Sequence, residues 1–219
     1  MYCSDECAIA GNKKFHQYEC SIVDSFNILF TKVMRIAART FFEALEICNG
    51  SIDEMEEALK RNEGCLTTVF DYDFSNPDDP MNKMNLLMAI DALNTNESDR
   101  TKGDLFQRAG IVAIMYNLFQ TQSPVKDLLV TERNKDFFRR FLFKQSQISA
   151  SNYHGIFGGL MSKLEVESNV QSGGGSFPFC SLVNHSCAPN LVRLSHKTAN
   201  YVVVNRPIPA GGQLFDNYG

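Results

Sequence analysis

Three observations predict an α+β fold. Apolar residues recur at three- and four-residue steps through the first two-thirds of the chain. From Ser149 onward glycine and short β-type runs dominate. Cysteines gather with a histidine in the first twenty residues. The expected order is a zinc-type knuckle over 1–20, a helical block over 21–148 and a small β-rich domain over 149–219.

The helical block starts at 22–47, where Ile22, Phe26, Leu29, Phe30, Val33, Ile36, Ala37, Phe41, Ala44, Leu45 and Ile47 recur at three- and four-residue steps. Asn49-Gly50 ends that helix and Ser51 caps the next, over 52–61. A turn-rich break follows at 71–80, apolar steps resume at 84–93, and 94–102 is a polar connection. The segment 104–120 is strongly apolar, with Met115 and its phenylalanine neighbours reading as core. A last helix is expected over 125–148, capped by Ser123 with Pro124 in its first turn. Beyond it, 155–164 reads as a hairpin arm and 168–175 as a loop. Two strands are expected at 191–194 and 201–205, with a turn at 195–200 and a final strand at 213–216 after a Pro/Gly turn.

Composition narrows the function. The chain has 219 residues, 44% of them hydrophobic and 21% charged, enough for one large or two small domains with a real core. A net charge of -4 offers no basic field, so direct nucleic-acid binding is not expected. No apolar run approaches a membrane span, and no membrane association is expected. The seven cysteines are an odd number, and their spacing favours thiolates on metal in a reducing compartment, the cytoplasm and nucleus.

Cys3 and Cys7 are four apart, as are His16 and Cys20, and 12–20 has helical character, which sets His16 and Cys20 on one face. The run C-x3-C-x8-H-x3-C can by itself supply one Cys3His zinc site. It can also be two ordinary cysteines and a surface histidine. Cys48, Cys65 and Cys180 have no partner spacing and read as structural, and His154 and His196 carry no evident role.

The sharpest motif is Asn184-His185-Ser186-Cys187-Ala188-Pro189-Asn190, followed at the chain end by Phe215-Asp216-Asn217-Tyr218-Gly219. Taken singly, Asn184-His185 is a turn ahead of Pro189 and Tyr218 a terminal aromatic. Together, and with Phe177-Pro178-x-x-Ser181-Leu182-x-Asn184 ahead of them, they resemble the C-terminal half of a SET methyltransferase domain. Tyr2-Cys3-Ser4-x-x-Cys7 and His16-x-x-x-Cys20 resemble the second half of a MYND zinc module. Both on one chain resemble the SET-and-MYND (SMYD) family, and the helical insert is closer to its SMYD4-like or arthropod-type members.

The resemblance implies a protein-lysine N-methyltransferase using S-adenosylmethionine. Asn184 and His185 would hold the donor, with Ser181 and Val183 as further contacts. Asn152 would be another, or else a simple polar loop residue. Tyr218 would line the lysine channel, brought beside Asn184 by a pseudoknot-like threading of the chain end. In MYND modules two zincs are bound in crossed fashion, so Cys3 with Cys7 and His16 with Cys20 would be halves of two sites. Cys187 would join cysteines of a following tail on another zinc, or without them be a buried small hydrophobe. The family's glycine-rich cofactor segment, the first half of the MYND module and the post-SET tail are not matched, which implies a fragment. The implied partners are a lysine-bearing protein, histone or not, and a proline-rich peptide at the MYND module. The competing expectation is an inactive SET/MYND scaffold for protein–protein interaction in transcriptional regulation.

Overall fold

The computed structural model describes residues 4–63, 68–157, 171–196 and 199–218. The chain divides into two compact units, Met1–Ser151 and Asn152–Gly219.

The first unit is helical. Helix α1 (Asp5–Gly11) starts at Ser4, whose hydroxyl accepts from the Cys7 amide at 3.2 Å. A π-helical turn (Asn12–His16), α2 (Gln17–Glu19) and a 3-10 turn (Cys20–Ile22) continue the coil. So short a polar segment has too little apolar surface to fold alone, and it docks instead. Phe15, Tyr18 and Ile22 pack on the core of the unit. Buried Glu19 takes both nitrogens of Arg39, at 2.7 and 2.8 Å, and that guanidinium lies over the Phe15 ring. Ser123 Oγ donates to the Tyr18 carbonyl at 2.6 Å.

The stripe expected as one helix over 22–47 is two helices, α3 (Val23–Leu29) and α4 (Lys32–Ile47). Phe30 is extended between them, and Thr31 caps α4 by accepting from the Met34 amide. An apolar stripe runs through such a joint unchanged, because Phe30 stays buried. At the far end Asn49 and Gly50 take positive φ, 51° and 80°, and the Gly50 amide reaches back to the Leu45 carbonyl at 2.8 Å. Helix α5 (Ile52–Asn62) then starts at Ser51, as the sequence predicts. Helix α6 (Pro80–Asp91) is capped by Asp79, and α7 (Lys102–Gln122) by Thr101.

The helix expected over 125–148 is also divided. Ser123 and Pro124 do start a helical turn, but it is a single 3-10 turn (Pro124–Asp127). Helix α8 (Glu132–Asn152) begins afresh where Thr131 Oγ1 accepts from the Asn134 amide at 3.1 Å.

Phenylalanine builds the core of this unit. The Phe41 and Phe138 rings meet edge to face at 4.6 Å, and Phe119 touches Phe26, Phe42 and Phe138 in the same manner. Met115 is fully buried beside them. At the edge Lys60, Arg133 and Arg140 converge on buried Glu56, at 2.9, 2.8 and 3.4 Å. The bond from Lys60, aided by Arg133, holds that carboxyl below its usual pKa despite burial. Among the described residues no helix is long and apolar enough to cross a membrane.

The second unit is built from two-stranded pairings. Strand β1 (Tyr153–Phe157) runs antiparallel to β2 (Gln171–Ser176). β1 is the described part of the hairpin arm expected over 155–164. The expected loop at 168–175 is overturned from Gln171 onward. Glycine is a poor strand former, yet at Gly174 it leaves room for the Tyr153 ring, whose hydroxyl would stand 2.2 Å from a Cβ there. A short helix α9 (Pro178–Ser181) leads to β3 (Asn184–His185), which pairs in parallel with β6 (Phe215–Asp216). The ribbon of β4 (Leu191–His196) and β5 (Ala199–Val204) contains the two expected strands but extends them into the turn expected at 195–200, pairing Ser195 with Asn200 and His196 with Ala199.

Candidate functional site

The site-forming residues of the second unit meet where β6 lies along β3. Asn184 stands opposite Phe215 and His185 opposite Asp216. The Ser186 amide extends the pairing by donating to the Asp216 carbonyl at 2.9 Å. This pairing carries the chain end to Tyr218, 33 residues from His185 in sequence, whose backbone N–H donates to His185 Nδ1 at 3.2 Å. The two rings lie 5.2 Å apart. With Nδ1 accepting, the neutral imidazole carries its proton on Nε2, which stands 3.3 Å from Cys187 Sγ and donates to it.

The Tyr218 hydroxyl donates to the Val183 carbonyl at 2.5 Å while the residue stays 59% exposed. One end of the phenol is therefore fixed, and the ring remains accessible. Asn184 and His185 are exposed as well. Among the described residues β3 pairs on one side only.

Three further residues make this geometry, and sequence reasoning gave them no role. Asn190 is buried, donates from Nδ2 to the Gln213 carbonyl at 2.9 Å, and accepts at Oδ1 from the Phe215 amide at 2.7 Å. Arg193 pairs with buried Asp216 at 2.6 Å and also donates to the Asn217 carbonyl at 3.2 Å. Together they pin β6 from both ends. The available signal was a lone acid in an apolar strand and an amide closing the Asn-His-Ser-Cys-x-Pro-Asn run. Both residue types must find partners once buried.

Ser181 Oγ turns back to the Phe177 carbonyl at 3.3 Å, and Val183 is buried with its carbonyl committed to Tyr218. Asn152 ends α8 where β1 begins. His154, two residues on, is 9% exposed, and its Nδ1 has no hydrogen-bond partner among the described residues. Burial, and then the charge of Arg193, push its pKa below the usual histidine value.

The expected metal ligands are less assembled. Cys3 lies outside the described residues, as does Cys65. Cys7 sits on α1, His16 ends the π turn, and Cys20 opens the following 3-10 turn. Cys7 and Cys20 are exposed. Among the described residues no three Cys, His, Asp or Glu side chains are grouped to hold a metal. Cys187 is exposed, against the default expectation of a buried small hydrophobe, because its turn faces outward beside His185. Cys48 and Cys180 are buried, and burial raises both thiol pKa values.

Comparison with known proteins bears directly on this geometry. A family model described as the SET domain matches residues 29–219. The chain belongs to the SET domain family. Its helical body from Leu29 and the β3–β6 pairing therefore lie within one family match, and residues 1–28 lie outside it. A stretch of 43 residues is 46% identical to the protein-lysine N-methyltransferase SMYD4 of Gallus gallus. That stretch is 20% of this SET chain and 6% of the relative's length.

Proposed function

We propose that this SET chain is the donor-binding part of a protein-lysine N-methyltransferase of SMYD type. The observation that carries the reading is the meeting of Asn184-His185 with Tyr218 across the β3–β6 pair. The chicken relative is a protein-lysine N-methyltransferase by name, which supports the reaction class.

The chemistry present fits S-adenosylmethionine, which when bound supplies the electrophilic methyl group. Both ring nitrogens of His185 are engaged within the fold, Nδ1 by the Tyr218 amide and Nε2 by Cys187, so its contribution is its main chain. The Asn184 amide lies on the same exposed strand. Ser181, Val183 and Asn152 are the flanking contacts. Ser181 and Val183 act chiefly by shaping the turn, since their polar groups already have internal partners.

Tyr218 is assigned the orienting role. Its hydroxyl proton is held by the Val183 carbonyl, which leaves the phenol oxygen as an acceptor at the exposed ring. An acceptor there can align the lysine amine, and positioning of this kind is worth large rate factors. The acceptor is a lysine of a histone or another protein. The working compartments are the cytoplasm and nucleus.

Zinc is assigned to the two half-sites, Cys3 with Cys7 and His16 with Cys20. In the family arrangement each is completed by further cysteines, and the exposure of Cys7 and Cys20 leaves them open to such ligands. Exposed Cys187 is assigned likewise. A proline-rich peptide is the partner proposed for the completed MYND module.

Tyr218→Phe separates the roles. Methyl transfer by the longer protein containing this chain should fall roughly 100-fold, with S-adenosylmethionine affinity unchanged. Unchanged turnover contradicts the role given to Tyr218.

A further inference from the structure

Between α5 and the end of the first turn of α6 three large apolar side chains stand in solvent close together in sequence, while Ile28 and Phe106 are exposed elsewhere in the helical unit. Phe70, Phe74 and Met81 stand 80%, 74% and 68% exposed, whereas the phenylalanines of the core are almost wholly covered. A floppy loop would hide such side chains against itself. This one is held open by specific bonds. Thr68 and Asp71 form a reciprocal cap around the 3-10 turn Val69–Asp71, which buries Val69 and turns Phe70 outward. Buried Asn82 then accepts from the Asp73 amide at 2.8 Å and donates to the carbonyls of Asp73 and Asn76 at 2.7 and 2.9 Å. Asn85 donates to the Asp71 carbonyl at 3.0 Å. The first turn of α6, which carries Met81, is thus fastened beside Asp73. The Tyr72 ring braces Phe74 edge to face at 4.9 Å.

Charge surrounds these apolar groups with one sign. Over 68–83 there are four aspartates, at 71, 73, 78 and 79, against one lysine, Lys83, a net charge of -3. Ser75 hydrogen-bonds Asp73 through its hydroxyl and its amide, and these bonds hold the carboxyl below its usual pKa, so it stays ionised at neutral pH. Asp78 pairs with Lys83 at 3.2 Å, and its side chain is exposed.

We propose that this aromatic and acidic loop is a docking surface for an extended protein segment rich in lysine and arginine. Rigid aromatic anchors that need no reordering are the usual centre of a binding surface. Lysine and arginine complement this one in both parts. Their methylene stems cover apolar rings, their cationic heads pair with ring faces, and aspartates surround them. The loop belongs to the helical unit, so the surface works whether or not the chain transfers methyl groups.

The test uses the whole 219-residue chain and fluorescence anisotropy. The probe is a labelled, unstructured peptide of lysine, arginine, valine and glycine, and the control has glutamate at every basic position. The basic peptide should bind saturably and lose affinity as salt rises; the glutamate peptide should not bind. Phe70→Ser with Phe74→Ser should cut affinity about tenfold or more. Asp78→Asn with Asp73→Asn should cut it several-fold and flatten the salt dependence. Melting curves of each variant check that the helical unit is intact. Equal affinity in both double variants would overturn the proposal, even if the basic peptide binds somewhere. Self-association that disappears in the Phe70/Phe74 variant, with no effect of the basic peptide, would make the loop a contact between copies and also overturn it. A chain that binds S-adenosylmethionine but ignores the basic peptide keeps the proposed function and loses this surface.

Discussion

The two units of this chain are held together by different means. In the first, five phenylalanines with almost no exposure interlock, and buried polar side chains, Gln145 on Asp91 among them, pack beside that aromatic cluster. In the second, pairs of short strands are fixed by a few buried polar side chains, Asn190 and Asp216 above all. Packing of the first kind tolerates imprecision in any single hydrogen bond. Stitching of the second kind does not, and that unit is the one carrying the candidate donor site.

The contrast sets the expected scale of damage. Phe138→Ala removes a ring that touches Phe41, Phe119 and Tyr116, and should destabilise the helical unit by about 3–5 kcal/mol in denaturant unfolding. A loss below 1 kcal/mol would mean that the aromatic cluster is not what holds this unit. Asn190→Ala deletes an amide only, yet leaves the Phe215 N–H and the Gln213 carbonyl without their partners. A cost of about 2–3 kcal/mol is expected, seen as lost hydrogen-exchange protection at the Phe215 amide. Unaltered protection would show that β6 is secured by something else.

Smaller effects sharpen the same comparison. Glu56→Gln takes a charge from beneath three cations at the rim of the helical unit. The cations are each about half exposed and can turn to solvent, so the loss should be about 1–2 kcal/mol in thermal melts at neutral pH. Because the Glu56 pKa is lowered by folding, that difference should be full above the usual carboxylate range and be lost as pH falls on through the lower value of the folded chain.

The smallest effect belongs to His154, buried, with Nδ1 lacking a hydrogen-bond partner among the described residues. Its pKa is depressed in the folded chain, so the unfolded state binds the proton more readily. Stability from this group is complete above a pH of about 6.5 and is lost as pH falls below it. His154→Phe should flatten the stability profile in that window, and a parallel profile would contradict the assignment.

The same division decides how much could be read from residues alone. Helix α5 was legible because Gly50 and Ser51 carry their signals locally, one in its positive φ and the other in its cap. The joint at Phe30–Thr31 was not, since burial continues through it while only the backbone turns. Strand β2 was hidden for a related reason. Its glycines read as loop, and what makes them strand is antiparallel pairing with β1, a partner distant in sequence. At the candidate site Asn184, His185 and Tyr218 were legible through resemblance to a known family. Asn190, Arg193 and Asp216 were missed because their importance lies in partners distant in sequence.

The central claim, that the edge of β3 beside Tyr218 holds the methyl donor, is tested most directly by calorimetric titration of S-adenosylmethionine into the 219-residue chain and its Asn184→Ala variant. The account predicts saturable one-site binding that Asn184→Ala weakens about tenfold or more, with the melting curve of the variant unchanged. Binding of equal strength in both proteins, or none in a folded wild-type chain, would contradict it.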